Sequence, residues 1–192
     1  MNIIIFGPPG AGKGTQAKFI ANKFNLYQLS TGDLLRNEIK NKTELGSKIS
    51  SIINSGELVS DKTVSSLIEK FVSSDNYKHK IIFDGYPRTL NQAKNLDELL
   101  EKYKQKVSIV LKLSVSLETV KKRISDRRSL EKRADDYEDI AVKRYKTYEK
   151  STEPVIEYYK QLNLLKAIDG ERSIDQINKE ISDIISLILS WL

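Results

Sequence analysis

The chain contains no cysteine, which excludes a disulfide framework and a thiolate metal site. No apolar run is long enough to span a bilayer. The opening Met1-Asn2-Ile3-Ile4-Ile5-Phe6 has no basic stretch of the kind that starts a signal peptide and breaks at Gly7, so it reads as a buried strand. No internal repeat or low-complexity linker divides the 192 residues, so one domain over 1–192 with a single well-buried core is expected. Histidine is reduced to His79, which reads as a solvated loop residue between Lys78 and Lys80. Together these absences point to a cytoplasmic globular protein, with no membrane partner.

Arginine is scarce too: the 32 basic residues are mostly lysine, and the arginines are Arg36, Arg88, Arg123, Arg127, Arg128, Arg133, Arg144 and Arg172. Five of them fall between positions 123 and 144. Lysine supplies charge and solubility, whereas the planar guanidinium supplies fixed bidentate geometry toward phosphate. The net charge of +6 fits either a nucleic-acid surface or a chain that receives small polyanions. Lysines spread along the chain among Glu and Asp read as a solvated surface, so no nucleic-acid partner is expected, and the clustered arginines point to phosphate chemistry.

Short β-rich runs alternate with longer helical ones, the pattern of an α/β fold with a parallel sheet and helices on both faces. Five strands are predicted, at Asn2 to Phe6, Tyr27 to Leu29, Lys80 to Asp84, Val107 to Leu113 and Leu164 to Ile168. Helical periodicity runs over Gly12 to Phe24, Leu90 to Tyr103 and Ile174 to Leu192, the last reading as a closing helix packed on the sheet. Residues 30 to 73 hold helical segments and no strand, and residues 125 to 135 are almost wholly polar. Both read as excursions over the carboxyl edge of the sheet, where ligands bind in such folds.

The stretch "GPPGAGKGT", residues 7 to 15, follows the first strand and opens a helix. A G-x-x-x-x-G-K loop in that context wraps successive backbone N–H groups around an anion at a helix N-terminus. Gly7, Gly10, Gly12 and Gly14 permit close approach, and Lys13 reaches the β- and γ-phosphates of a nucleotide. Ala11 and Thr15 complete the ATP-side candidates. The usual hydroxyl after the lysine is replaced here by Gly14, so Mg²⁺ should be held mostly by phosphates and waters. Asp84, ending the apolar run Ile81-Ile82-Phe83, is the candidate carboxylate for that ion, through a water.

Four pieces stand in order: "GPPGAGKGT" at 7–15, "STGDLLR" at 30–36, "DGYPRTLNQA" at 84–93, and the arginine segment ending in "KRADD" at 132–136. Together they resemble the nucleoside monophosphate kinases, and most closely the adenylate kinase family, over nearly the whole chain. The resemblance implies a P-loop NTPase fold with a five-stranded parallel sheet, an AMP-binding helical excursion over 30–59 and a short LID over 126–136. It implies reversible phosphoryl transfer from MgATP to AMP giving two ADP, a role in adenine nucleotide homeostasis, and a monomer whose partners are ATP, AMP and ADP. By that resemblance Thr31, Arg36, the Glu57-Leu58-Val59 stretch, Gly85, Tyr86, Pro87, Arg88 and Gln92 form the AMP site, Arg88 gripping its phosphate and Gln92 reading the adenine edge.

Arg123, Arg127, Arg133 and Arg144 match the arginines that clamp the transferring group and the phosphates of both nucleotides. Arg123 and Arg127 are four apart on one helical face; Arg133 and Arg144 are eleven apart, about three turns at roughly 3.6 residues each. Arg172 is kept as an ATP-side candidate, although it and Arg128 read equally as solvated charges. Asp135 and Asp136 either orient the arginines or form a helix N-terminal acidic pair favoured by the macrodipole. Only Arg128 to Lys132 separate Arg127 from Arg133, so the large hairpin of the long forms, zinc-bearing in some, is missing; a short form without structural zinc is implied. The implied mechanism is direct in-line attack by an AMP phosphate oxygen on the γ-phosphorus, with no histidine or cysteine nucleophile, and with the excursions closing to exclude water.

Rival readings are a UMP/CMP kinase, disfavoured by Thr31 and the "RTLNQ" run to Gln92, and a GTPase-like switch suggested by "NKTE" at 41–44, which comes too early in the chain.

Overall fold

The five apolar, β-branched runs form strands β1 (Asn2–Phe6), β2 (Tyr27–Ser30), β3 (Ile81–Asp84), β4 (Val107–Ser114) and β5 (Leu165–Asp169). All neighbouring strands pair in parallel, in the order β2-β3-β1-β4-β5. These elements come from a computed structural model that describes residues 1–131, 133 and 135–190. Lys132 and Ala134 of "KRADD", and Trp191 and Leu192 of the expected closing helix, lie outside the described residues.

The central strand β1 is buried at every residue, which is why Ile3-Ile4-Ile5-Phe6 is an unbroken apolar run and not an alternating one. Successive side chains still leave on opposite faces. Ile4 and Phe6 join Phe83 and Val110 in one core layer, while Ile3 and Ile5 join Ile82 and Leu111 in the other. The second layer is closed by α1 (Lys13–Phe24), through Ala17 and Ile20, and by α8 (Ile174–Leu189), through Ile177, Ile181 and Ile185. A capping box at Ser173 and Gln176 starts α8, whose inward isoleucines fulfil the expectation of a closing helix.

The first layer is built from α2 (Thr31–Lys40), α3 (Glu44–Asn54), α4 (Asp61–Val72), α5 (Leu90–Lys102) and α7 (Glu138–Gln161). Ser30, Thr43 and Ser60 begin α2, α3 and α4 by accepting the N–H of the residue three positions on. These caps break residues 30 to 72 into three short helices. Gly46 lets α3 cross α2 at contact: a Cβ there would stand 2.1 Å from the Glu38 carbonyl oxygen. "NKTE" forms the α2–α3 turn, with Thr43 as a helix cap, which accounts for it without a guanine site.

The polar segment from 125 onward is helical as far as Glu131. Helix α6 (Leu117–Glu131) runs through it, although Val120 and Ile124 are its only buried residues. Arg133 lies in the connection to α7, which begins at Glu138, so Arg133 and Arg144 do not share a helix and their eleven-residue spacing carries no helical meaning.

Candidate active site

At the carboxyl end of β1 the chain turns through residues 7 to 12 into α1. Gly12 caps that helix in the left-handed region at φ 91°, with no side-chain cap on the first-turn N–H groups. An uncapped N-terminus facing a glycine-rich turn is an anion site in waiting. Lys13 Nζ folds back over the loop and donates to the carbonyls of Gly7 (2.7 Å) and Pro8 (2.9 Å). Desolvation, partly offset by Asp84 and reinforced by Arg88, Arg144 and Arg127, pushes its pKa down to about 7. Ala11 is buried inside the loop, Gly10 adopts φ 78°, and Thr15 is exposed in the first turn of α1. Gly14 faces Asp84, whose Oδ2 would be 3.7 Å from an added Cβ. Asp84 is buried, and the same Oδ2 accepts from Gln28 Nε2 at 3.0 Å.

The next turn leaves β3 at Gly85, whose carbonyl is a shared acceptor: Thr31 Oγ1 donates to it at 2.9 Å and Arg88 Nε at 2.7 Å. Gly85 has φ 79°, and a Cβ would stand 3.0 Å from Arg88 Nη2 and 3.1 Å from Thr31 Oγ1, so only glycine fits. The Tyr86–Pro87 peptide is cis. Burial, and the nearby charge of Arg144, press the Arg88 pKa down to about 10, which still leaves it charged at neutral pH. Tyr86 was expected to touch AMP, but its ring is buried against Phe83 and its hydroxyl meets the Gln92 carbonyl (3.3 Å) and Ser65. It supports the turn from beneath; an aromatic after a strand-ending glycine is drawn into the core by its own apolar area.

The arginines divide into two groups. Arg88 and Arg144 line the same cleft as Lys13. Arg144 pairs with Asp135 (2.8 Å) and Asp136 (3.4 Å), and burial lowers its pKa. Arg127 is held bidentately by Asp136, at 2.7 Å and 2.5 Å; burial alone would lower its pKa, but the carboxylates outweigh it and the pKa is raised. Asp135 and Asp136 are buried and precede α7, so they act on the arginines and are not first-turn residues of the helix. Arg123 is turned to the backbone beside the phosphate loop, donating to the carbonyls of Gly170 (2.8 Å) and Ala11 (3.4 Å). Arg133 pairs with Glu131 at 2.5 Å, and its charge also reaches Asp33. Arg172 is not brought to the cleft: it pairs with Glu180 and Asp169, as a surface charge would.

The cleft itself holds about 1030 Å³ of space, including its open mouth. Lys13, Arg88 and Arg144 form its cationic part, and Thr31, Arg36, Glu57, Leu58, Val59 and Gln92 line the rest together with Leu35, Ile53 and Val64. Arg36 pairs with Asp33 at 2.5 Å and lies over Gly32. Glu57 is tied to Lys143 of α7 at 2.9 Å. A cleft that sets apolar side chains beside a group of cations suits a flat base carrying a phosphate.

The family model described as Adenylate kinase matches residues 5–164. The chain belongs to the adenylate kinase family. It is 42% identical to an adenylate kinase of Pelagibacter ubique, the match covering 97% of this chain and all of that relative. Adenylate kinases of Petrotoga mobilis (39%, covering 96% of this chain and 97% of the relative) and Archaeoglobus fulgidus (37%, covering 99% and 100%) are similarly related. Members of the adenylate kinase family are ATP:AMP phosphotransferases, and this chain's reaction is reversible phosphoryl transfer between ATP and AMP. The matches run to 213 or more positions against a chain of 192, so these relatives carry residues this adenylate kinase lacks.

Residues of this adenylate kinase that sequence reasoning passed over come chiefly from α7 and α4. Thr147, Tyr148 and Thr152 line the cleft, and Thr152 Oγ1 donates to the Arg88 carbonyl at 3.2 Å. Asp61 accepts from Gln92 Nε2 at 2.7 Å and from Thr89 Oγ1 at 2.9 Å. No short motif marks them; the i, i+4, i+8 spacing of Arg144, Tyr148 and Thr152 on a single helix was the signal available.

Proposed function

We propose that AMP binds with its base among Leu35, Val59, Val64 and Gln92 and its phosphate on Arg88, Arg36 and Arg144, while the ATP phosphates lie in the loop from Gly7 to Thr15. The phosphoryl group then passes directly, in line, from ATP to the AMP phosphate oxygen. The observation that carries this reading is the convergence of Lys13, Arg88 and Arg144 on one cleft, immediately beside the uncapped N-terminus of α1. Phosphoryl transfer asks little covalent chemistry of a protein, and its equatorial oxygens are stabilised by fixed cations and N–H donors aimed where charge accumulates. Lys13, Arg88 and Arg144 are held at the cleft by carbonyl and carboxylate acceptors whose place a phosphate oxygen would take.

Arg127 and Arg133 are read as further phosphate ligands on the short LID over 126–136, and Arg123 as a support that holds the phosphate loop against α6 and the β5 end. The residues lacking relative to the relatives are read as the LID hairpin, which agrees with the five residues between Arg127 and Arg133. Among the described residues no three acidic, histidine or cysteine side chains gather to hold a metal. One buried carboxylate beside the loop, Asp84, suits a hard cation that keeps most of its waters, so Asp84 would hold Mg²⁺ through water. When bound, that ion supplies neutralising charge to the ATP phosphates. We read the enzyme as working as a cytoplasmic monomer.

The test is stereochemical: transfer from ATP made chiral at the γ-phosphorus should invert configuration, as a single in-line displacement requires. Retention would require a phosphorylated protein intermediate and would overturn the mechanism.

A further inference from the structure

Gln92 presents one carboxamide to the cleft, and its two ends are nearly the same shape; what the amide reads depends on which end faces which partner. Two neighbours decide this independently. The Arg88 backbone N–H can only donate, and Gln92 Oε1 accepts from it at 2.7 Å. A carboxylate oxygen accepts, and Gln92 Nε2 donates to Asp61 Oδ1 at 2.7 Å. Asp61 is itself fixed: its Oδ2 accepts from Thr89 Oγ1 at 2.9 Å, and that same hydroxyl oxygen caps α5 by accepting the Gln92 N–H at 3.1 Å.

The oxygen of Gln92 has a second lone pair and the nitrogen a second hydrogen. With the amide locked, an acceptor and a donor remain in fixed order for a base in the cleft. A 6-amino purine offers the matching donor at its exocyclic amine and acceptor at N1. A 6-oxo purine offers the reverse, and would leave both pairs mismatched inside a desolvated site.

We infer that Asp61 is a positioning residue that sets the acceptor specificity of the enzyme, by holding the Gln92 amide in the one orientation that accepts a 6-amino purine and refuses a 6-oxo one. The inference rests on the reading of Gln92 as a base contact. Asp61 sits in the first turn of α4, where an acid stabilises any helix, so a purely structural role is the alternative to separate.

The experiment measures kcat/KM for AMP and for IMP in the wild type and in Asp61→Ala, Asp61→Ser, Asp61→Asn and Gln92→Ala. Alanine and serine are both too short to accept from Gln92 Nε2, and either reports if the other fails to fold. The AMP-to-IMP ratio should fall by about tenfold in both, the weight of one charge-assisted hydrogen bond, with KM for ATP unchanged. Asp61→Asn, which keeps a carbonyl oxygen in place, should hold the ratio within about threefold of wild type on the same grounds. A structural role would lower melting temperature and both efficiencies together, leaving the ratio fixed in the alanine and serine variants; that result overturns the inference. If the ratio collapses in Gln92→Ala but not in the Asp61 variants, only the role of Asp61 falls. If Gln92→Ala leaves the ratio untouched, the base contact falls, and the inference with it.

Discussion

Replacing Asp136 by asparagine keeps its shape and removes the negative charge that bridges two arginines. The Asp136 side chain is wholly buried, and it accepts from both Arg127 Nε and Nη2 and from Arg144. Removing one partner of a buried ion pair costs about 3–5 kcal/mol, because the remaining charge is left without compensation. Two features reduce that figure here. Arg127 is 24% exposed and can draw on water, and Arg144 keeps Asp135 at 2.8 Å. A loss of about 2–3 kcal/mol follows, and at about 2–4 °C per kcal/mol for a protein of this size the melting temperature should fall by roughly 4–12 °C. A bound nucleotide should supply the missing negative charge between the same arginines. Calorimetric melts of wild type and Asp136→Asn, with and without saturating ADP, should therefore show the gap shrinking by at least about half in ADP. A variant that melts within about 2 °C of wild type, or whose deficit is the same with and without ADP, would refute the view that Asp136 is a charge partner for phosphate-binding arginines.

Lys13 carries a pH dependence of definite sign. Its pKa of about 7 in the free protein lies below the ordinary lysine value of about 10.4, so between those values the unfolded chain binds more protons than the folded one. Stability gains from this site as pH rises through that window, and the full cost of burying the charge is present below it. A phosphate in the loop demands the charged form, so ADP binding at pH 8.5 should take up close to one proton, read by calorimetry in buffers of different ionisation enthalpy. The uptake should disappear in Lys13→Met. Gly85→Ala should raise KM for AMP well above any change for ATP and cost about 1–2 kcal/mol in denaturant melts, since its Cβ would press on Arg88 and Thr31 at a positive φ. Equal effects on the two substrates would place that turn elsewhere than the AMP side.

Much of this fold and site is legible in the sequence. The sheet is visible because β1 and β3 are buried at every residue and so open as unbroken apolar runs, and each predicted strand lies within one residue of the observed one. The phosphate loop is visible because glycine is the residue its φ values demand at Gly10 and Gly12. Sequence spacing failed where an element changed direction: Arg133 and Arg144 look like neighbours on one helix, yet the chain turns between them at Asp135 and Asp136. Sequence spacing is also silent where burial places a side chain, as with the Tyr86 ring packed on Phe83. Asp61 was invisible for another reason. Its partners lie 28 and 31 residues away on α5 and its cap, and no local pattern encodes a contact between the start of one helix and the start of another.

The central claim is that this cleft transfers a phosphoryl group between ATP and AMP using Lys13 and Arg88. The most direct measurement is ADP formation from MgATP with AMP, UMP, CMP or GMP as acceptor, in the wild type, Lys13→Ala and Arg88→Ala. Transfer strongly favouring AMP, and lost from both variants while their melting curves remain cooperative, is the expected result. Equal transfer to UMP or CMP would contradict the acceptor assignment, and undiminished activity in either folded variant would contradict the site.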